Sequence, residues 1–345
     1  MTTDVPIIPD LSALSAQLRK DDQAFRRSFA LGRFGDEVDV VVDGGIRPAV
    51  AVAGGRGEDV RARFLALVEG RTGIEIGGSV TERVDRLLAS MPAAALPGWL
   101  SALEQEPAEG SAWESLIDLL TVHETYFFRD PDQLEFLRRS VLPGMIAARK
   151  TDSQARLAAW CAGCSSGEEV YTLAMLIVEA LRDAGEAEVR GDGRILIQPR
   201  WRVSVLGTDI DRGVLRQAQA GCYPDFPMGP FRSLPEGWAG YFEHAPAAPH
   251  AGPPVRLVRP EIRALTTFLP HNLATADPPN LDLCLILCRN VLIYLSDRAR
   301  HHAQALFHRA LSRDGALALG PTDVLRRPEL FQPQWGASTV LYRKK

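Results

Sequence analysis

Four short segments of the 345-residue chain carry groups suited to holding a small ligand and acting on it. The first is Ala158-Ala159-Trp160-Cys161-Ala162-Gly163-Cys164-Ser165-Ser166-Gly167-Glu168-Glu169. An apolar strand runs into a loop of small residues around Gly163 and then into a helix. Small residues let a ligand approach the backbone closely, and the helix start offers unpaired N–H groups. Phosphate uses such geometry. Here Glu168 and Glu169 would repel a pyrophosphate, so the loop suits a neutral or cationic ligand. Two favourable acids in the first turn of an ordinary helix are the equally economical reading.

The second segment is Gly207-Thr208-Asp209-Ile210-Asp211, again at a strand end. An acid there can accept both hydroxyls of a ribose. Either aspartate would also serve as a helix N-cap. About 45 residues separate this acid from the small-residue loop. A dinucleotide fingerprint needs roughly 20, which disfavours a nicotinamide enzyme. The third segment, Thr121-Val122-His123-Glu124-Thr125-Tyr126-Phe127-Phe128-Arg129-Asp130, sets two phenylalanines beside an arginine. Arg129 can pair with a carboxylate in a bidentate manner, or simply end a helix with a surface ion pair. The fourth runs from Asp282 to Leu295 and holds Cys288-Arg289-Asn290-Val291-Leu292-Ile293-Tyr294. Polar residues at the end of a buried strand mark a ligand crevice. Tyr294 reaches a reacting centre there, or else is a core tyrosine with its hydroxyl satisfied.

These residues need a scaffold that gathers strand ends. From about residue 150, apolar runs alternate with helical patterns. Arg156–Trp160 precedes a helix over Glu168–Leu181, and Arg202–Leu206 precedes one over Arg212–Ala220. Leu281–Leu287 precedes a helix from Ser296 to Leu311 and a strand over Ala316–Leu319. That order predicts a doubly wound, mainly parallel α/β sheet with both faces covered, and ligands at its carboxyl edge. Residues 221–262, rich in Pro, Gly and aromatics, read as an inserted β subdomain. Residues 60–130 read as a small helical domain, with helices over Val60–Glu69, Ser79–Met91 and Trp113–Leu120. Ser79 with Glu82 predicts a capping box. Residues 131–150 read as a linker to the 151–345 domain. Residues 1–59 form an extension, with a helix over Leu11–Phe29 and a glycine-turned hairpin over Val38–Ala53.

Hydrophobic residues make up 46% of the chain and charged residues 24%, which argues against disorder. A net charge of −4 disfavours a nucleic-acid binder. Apolar runs stay below the roughly 18 residues of a membrane span, and the N-terminus lacks a secretory pattern, so a cytoplasmic protein without direct membrane insertion is expected. The five cysteines read as reduced, mostly buried thiols. Cys161 and Cys164 lack two further ligands at zinc spacing, so no metal is expected.

Together the motifs T-x-x-x-T-x-F-F-R, A-G-C-S-S-G-E-E, G-T-D-I-D, N-L and C-R-N-V-L-I-Y closely resemble the chemotaxis receptor methyltransferases, the CheR family. The resemblance runs from about Phe64 to the C-terminus. It implies a class I, Rossmann-like methyltransferase fold with a helical N-terminal domain. It implies S-adenosylmethionine as cofactor, S-adenosylhomocysteine as product, and glutamates of a receptor-type protein as acceptors. By the same resemblance, Thr125 and Arg129 line the cofactor site, with His123 and Gly163 beside them. Glu168 lies near the methionine part, Asp209 on the ribose, and Asn272 and Leu273 along the adenine. Arg289 and Asn290 complete the pocket, and Arg129 and Tyr294 orient the reacting groups. A glutamate is ionised at neutral pH, so such an enzyme needs placement rather than a strong base.

The chain departs from the family in several places. His123 stands where the family has Asn, and Val170 where it often has Pro. The family's basic receptor-facing helix is represented by only Arg83 and Arg86, beside Glu82 and Asp85. Residues 58–130 hold six arginines, no lysine and thirteen acids. A small-molecule methyltransferase, or a silent cofactor-binding regulator, therefore stands as an alternative.

Overall fold

The computed structural model describes residues 56–191, 194–245 and 253–345. The helix expected over Leu11–Phe29 and the hairpin over Val38–Ala53 lie outside them. The chain divides into two units, one ending at Thr121 and the other starting at Val122.

In the first unit, apolar residues at helical spacing form α1 (Arg56–Thr72), α2 (Ser79–Ala89), α3 (Leu96–Gln105) and α4 (Ser111–Leu120). Phe64, Val68, Leu87, Trp99, Leu103, Trp113 and Leu116 share one core. The Trp113 indole donates to the Leu103 carbonyl at 3.0 Å, so its one polar atom is satisfied. Two local readings change. Gly78, with φ 54°, holds the cap position of α2, so Ser79 is already the first helical residue and the expected capping box is not formed. The helix α3 is additional. Its Pro97 falls in the first helical turn, where a missing N–H costs nothing.

The second unit opens with α5 (Pro131–Phe136), a π-type turn (Leu137–Val141) and α6 (Leu142–Arg149). Residues read as a linker are thus helical, and Leu134, Leu137, Val141, Leu142, Met145 and Ile146 join the core of the following sheet. Next come β1 (Ala155–Ala162), α7 (Glu168–Asp183) and a small hairpin of β2 (Ala187–Val189) and β3 (Ile195–Ile197). Then follow β4 (Trp201–Asp209), α8 (Arg212–Ala220), β5 (Cys222–Pro224), β6 (Phe242–His244), β7 (Val255–Val258), α9 (Pro260–Arg263) and β8 (Thr266–Pro270). The chain ends with β9 (Leu283–Cys288), α10 (Asp297–Ala310), β10 (Leu311–Leu319), β11 (Phe331–Trp335) and β12 (Val340–Lys344).

Seven strands make the main sheet in the order β11-β12-β10-β9-β1-β4-β8. The five from β10 to β8 are parallel, and β11 and β12 close one edge as an antiparallel hairpin. Period-two alternation splits β1 between two cores. Leu157, Ala159 and Cys161 face the layer under α7, and Ala158, Trp160 and Ala162 face the layer under α10. Strand order reverses between β1 and β9, where a crevice for a ligand must form. Strands β5, β7 and β6 form a separate three-stranded antiparallel sheet within residues 221–262. This is the class I methyltransferase plan. Among the described residues, no helix is long and apolar enough to cross a membrane.

Candidate functional site

The loop after β1 is held by the end of β4. Gly163 and Cys164 both donate to the Thr208 carbonyl at 2.8 Å. Asp209, 9% exposed, braces two loops at once. Its Oδ2 accepts from the Ser165 amide at 2.8 Å, and its Oδ1 from the Asp211 amide at 3.0 Å. Each carboxylate oxygen has a second lone pair, so bracing and ligand binding are compatible. Asp211 takes the other role open to this pair. Its Oδ1 accepts from Gly213 at 2.6 Å and Val214 at 3.4 Å as the N-cap of α8. The His123 Nε2 lies 2.8 Å from Asp211 Oδ2, tying the 123–130 segment to that cap.

Gly163 has φ +76°, and a Cβ there would stand 2.5 Å from Val291 Cγ2. The loop can therefore lie against the segment after β9 only with glycine at this place. Gly163→Ala should cost about 3 kcal/mol, from overpacking plus a left-handed backbone. Urea unfolding tests this, and a loss under about 1 kcal/mol would show that the loop relaxes freely.

At the start of α7 the two glutamates part company. Glu168 is 3% exposed. Its Oε2 accepts from Ser166 Oγ at 2.8 Å, and burial pushes its carboxyl up to about 7. A solvated first-turn acid does not describe it, whereas a cation beside it would restore its charge. Glu169 instead meets Arg289 at 2.8 Å. Burial raises its carboxyl, and the Arg289 charge opposes that rise.

The third segment is anchored by aromatic packing. Phe127 donates its amide to Pro230 at 2.9 Å and packs on Tyr223, Phe231 and Phe242 of the inserted region. Phe128 and Asp130 both have left-handed backbones, at φ 59° and 54°. Non-glycine residues stay there only when their surroundings compel it. The Phe128 amide donates to Thr172 Oγ1 at 3.3 Å, and its ring packs on Trp238 at 4.7 Å. Arg129 donates to the Glu124 carbonyl at 2.7 Å, a neutral acceptor rather than the surface acid of the simpler reading. Its guanidinium and that of Arg232 both address the Tyr126 ring, at 5.8 and 3.7 Å. Arg232 also pairs with Glu124 at 3.1 Å. Thr125 is half-buried in the same segment.

At the end of β9, Arg289 turns inward to Glu169, to Asp130 at 2.8 Å, and to the Arg129 carbonyl at 2.6 Å. Asn290 has φ 57°, and its amide donates to Asp323, which also accepts from Gly320 and Ile293. Tyr294 closes a 3-10 turn and is 38% exposed, so it is not a core tyrosine. Asn272 makes an Asx turn to Ala274 at 2.9 Å, and Leu273 is buried in the layer of Trp160 and Leu292.

Gly163, Glu168, Asp209, Asn272, Leu273, Arg289 and Asn290 thus all sit at or just beyond the carboxyl ends of β1, β4, β8 and β9. Arg129 joins them through its carbonyl. Arg232 and Asp323 were not singled out from the sequence. Neither lies in a motif, and only the fold brings them near the four segments. Ser165 Oγ, His271 Nδ1, Arg289 Nε and Asn290 Oδ1 are buried at these strand tips without a partner among the described residues. Such atoms, with a buried carboxyl near neutrality, fit a polar ligand bearing positive charge. A cavity of about 610 Å³ lies behind Phe128, lined by Leu134, Arg138, Glu179, Trp238 and Tyr241 among others. None of the expected cofactor residues lines it.

A family model described as "CheR methyltransferase, SAM binding domain" matches residues 123–339. The chain is 30% identical over 288 residues to Chemotaxis protein methyltransferase 1 of Pseudomonas aeruginosa, covering 82% of this chain and 96% of that protein. It is 27% identical over 288 residues to Chemotaxis protein methyltransferase Cher2 of Pseudomonas putida, covering 82% of this chain and 97% of that one. A solved TehB-like SAM-dependent methyltransferase from Corynebacterium glutamicum shares 14% identity at a TM-score of 0.32, over 59% of this chain and 87% of that one. That last likeness is too distant to weigh. The extent of the family match establishes that the chain belongs to the CheR family of chemotaxis methyltransferases and uses S-adenosylmethionine.

Proposed function

We propose that the protein forms methyl esters on glutamate side chains of a chemoreceptor-type protein in the cytoplasm. The observation that carries this reading is Arg129. A strained turn holds it at the crevice, and it donates to a backbone carbonyl. That neutral acceptor leaves its charge to act on an incoming carboxylate. Bound S-adenosylmethionine supplies a methyl group on a positively charged sulfur. The remaining work falls to the chain. Asp209 accepts the ribose hydroxyls on its remaining lone pairs, and Glu168 faces the cationic methionine part. Asn272 and Leu273 border the adenine, while His123, Thr125, Gly163 and Asn290 close the walls. Arg129 and the exposed Tyr294 orient the acceptor carboxylate. That group is already ionised at neutral pH, so placement and exclusion of water are what the site adds.

Arg129→Ala should lower turnover more than tenfold while the affinity for S-adenosylhomocysteine stays within about threefold. Labelled methyl transfer to receptor fragments reads the first quantity and calorimetry the second. Wild-type turnover in the variant would remove Arg129 from the reaction.

A small-molecule acceptor is the second reading, and α2 favours it. Its two arginines, Arg83 and Arg86, are matched on the same helix by two acids, Glu82 and Asp85. Little positive charge is left on that helix to meet an acidic receptor. Parallel assays on receptor fragments and on small carboxylic acids separate the two. A tight cofactor complex that transfers to neither would point to a regulator.

A further inference from the structure

We infer that Arg289 is a positioning residue for Arg129 and not a side-chain contact for the cofactor. The inference rests on the reading above, in which Arg129 orients the acceptor.

Arg289 is the most enclosed cation of the strand-tip region, with only 2% of its side chain exposed. Its Nη1 meets Glu169 Oε2 at 2.8 Å, at the start of α7. Its Nη2 meets Asp130 Oδ2 at 2.8 Å and the Arg129 carbonyl oxygen at 2.6 Å. One guanidinium therefore ties the end of β9 to the first turn of α7 and to two consecutive residues of the 123–130 segment. Both terminal nitrogens are used on protein. The planar fork suits this work, because it reaches acceptors in several fixed directions at once.

The tied residues are the ones that need holding. Phe128 and Asp130 flank Arg129 in left-handed backbone conformations. From Phe127 to Asp130 the segment is pinned at Pro230, at Thr172 and at Arg289. Arg289 supplies the pin at the Arg129 peptide itself, and its second contact fixes the next side chain. Without it, the turn relaxes toward ordinary backbone and the Arg129 guanidinium leaves the place from which it addresses an acceptor. Asp130 and Glu169 then serve as the two acids that keep Arg289 in register.

Arg289→Gln removes the charge and the fork, Arg289→Lys keeps the charge alone, and Asp130→Asn takes the ionic part from one arm without touching β9. Three readouts are taken on the 345-residue chain: the affinity for S-adenosylhomocysteine by calorimetry, kcat for methyl transfer, and hydrogen exchange of the 127–130 amides. Expected for Arg289→Gln and Asp130→Asn are exchange at Phe127 and Phe128 faster by more than tenfold and kcat lower by more than tenfold. The affinity should change by less than about fivefold. Arg289→Lys should recover part of the loss. Adding Arg129→Ala to Arg289→Gln should lower kcat little further, because both act through one side chain.

The inference is overturned if affinity falls by 100-fold or more with exchange unchanged, which would make Arg289 a cofactor contact. Additive losses in the double variant also overturn it. Removing one partner of a buried ion pair can unfold a protein. If Arg289→Gln unfolds, Asp130→Asn decides alone, and wild-type exchange and kcat in that variant sink the inference. If the wild type methylates no glutamate, the acceptor reading fails instead, and the exchange and affinity readouts still judge the clamp.

Discussion

Asp209→Asn should weaken the affinity for S-adenosylhomocysteine by on the order of 100-fold. The change looks conservative and is not. Two backbone amides, of Ser165 and Asp211, point at the two carboxylate oxygens. An asparagine must turn its NH2 toward one of them, setting donor against donor in a buried place. That alone destabilises by about 1–3 kcal/mol. The two proposed ribose contacts then lose a charged acceptor and half of the acceptor capacity. Charge-assisted hydrogen bonds contribute about 1.5–3 kcal/mol each, so losing one good one already approaches the expected fold-change. Calorimetry at constant pH gives the affinity, and thermal unfolding without ligand gives the stability cost. Binding within threefold of wild type would remove Asp209 from the cofactor site, and a lowered Tm in the same variant would then describe a brace alone.

Glu168→Gln should stabilise the ligand-free protein and weaken cofactor binding, two effects of opposite sign from one cause. Burial lifts the Glu168 carboxyl from its ordinary value to about 7. A carboxyl raised in the folded state binds its proton more tightly there than in the unfolded chain. Stability is therefore highest below about pH 4.5 and falls as pH rises toward 7, beyond which the full penalty remains. A shift of this size corresponds to about 3 kcal/mol at pH 8, which the neutral glutamine would recover. A cation brought beside Glu168 draws the carboxyl back down and releases a proton. Cofactor affinity should hence fall as pH drops below about 7, approaching tenfold per unit in the wild type. In Glu168→Gln it should be weaker at pH 8 and nearly flat with pH. Calorimetry at pH 6 and 8, with unfolding at the same two values, measures both. A variant less stable than wild type at pH 8, or one with unchanged pH dependence of binding, would contradict this account.

Both effects belong to a site whose parts were unevenly legible. The parallel sheet could be read because its strands are buried on both faces. Residues 157–162 and Leu283–Cys288 are continuous apolar runs, and α8 begins and ends where its pattern says. Local signals failed where a neighbouring residue or tertiary packing decided the outcome. Gly78 took the cap position that Ser79 was expected to hold. The 131–150 segment is helical because the sheet offers its leucines a core, which a single-segment reading does not see.

The chemistry divides in the same way. The resemblance of the motifs to the CheR family implied that Glu168, Asp209, Arg129 and Tyr294 serve one site, since residue type and order are properties of the chain. Which aspartate caps and which braces, which glutamate is buried and which is paired, and where Arg289 points are properties of the fold. The brace from Asp209 to Ser165 and the ties from Arg289 to Glu169 and Asp130 bring groups far apart in sequence within about 3 Å, the range over which hydrogen bonds act. Glu168 and Glu169 are adjacent and chemically identical, yet their side chains leave the helix about 100° apart. One is buried against the Ser166 hydroxyl and the other meets an arginine 120 residues away, and only the folded chain could tell them apart.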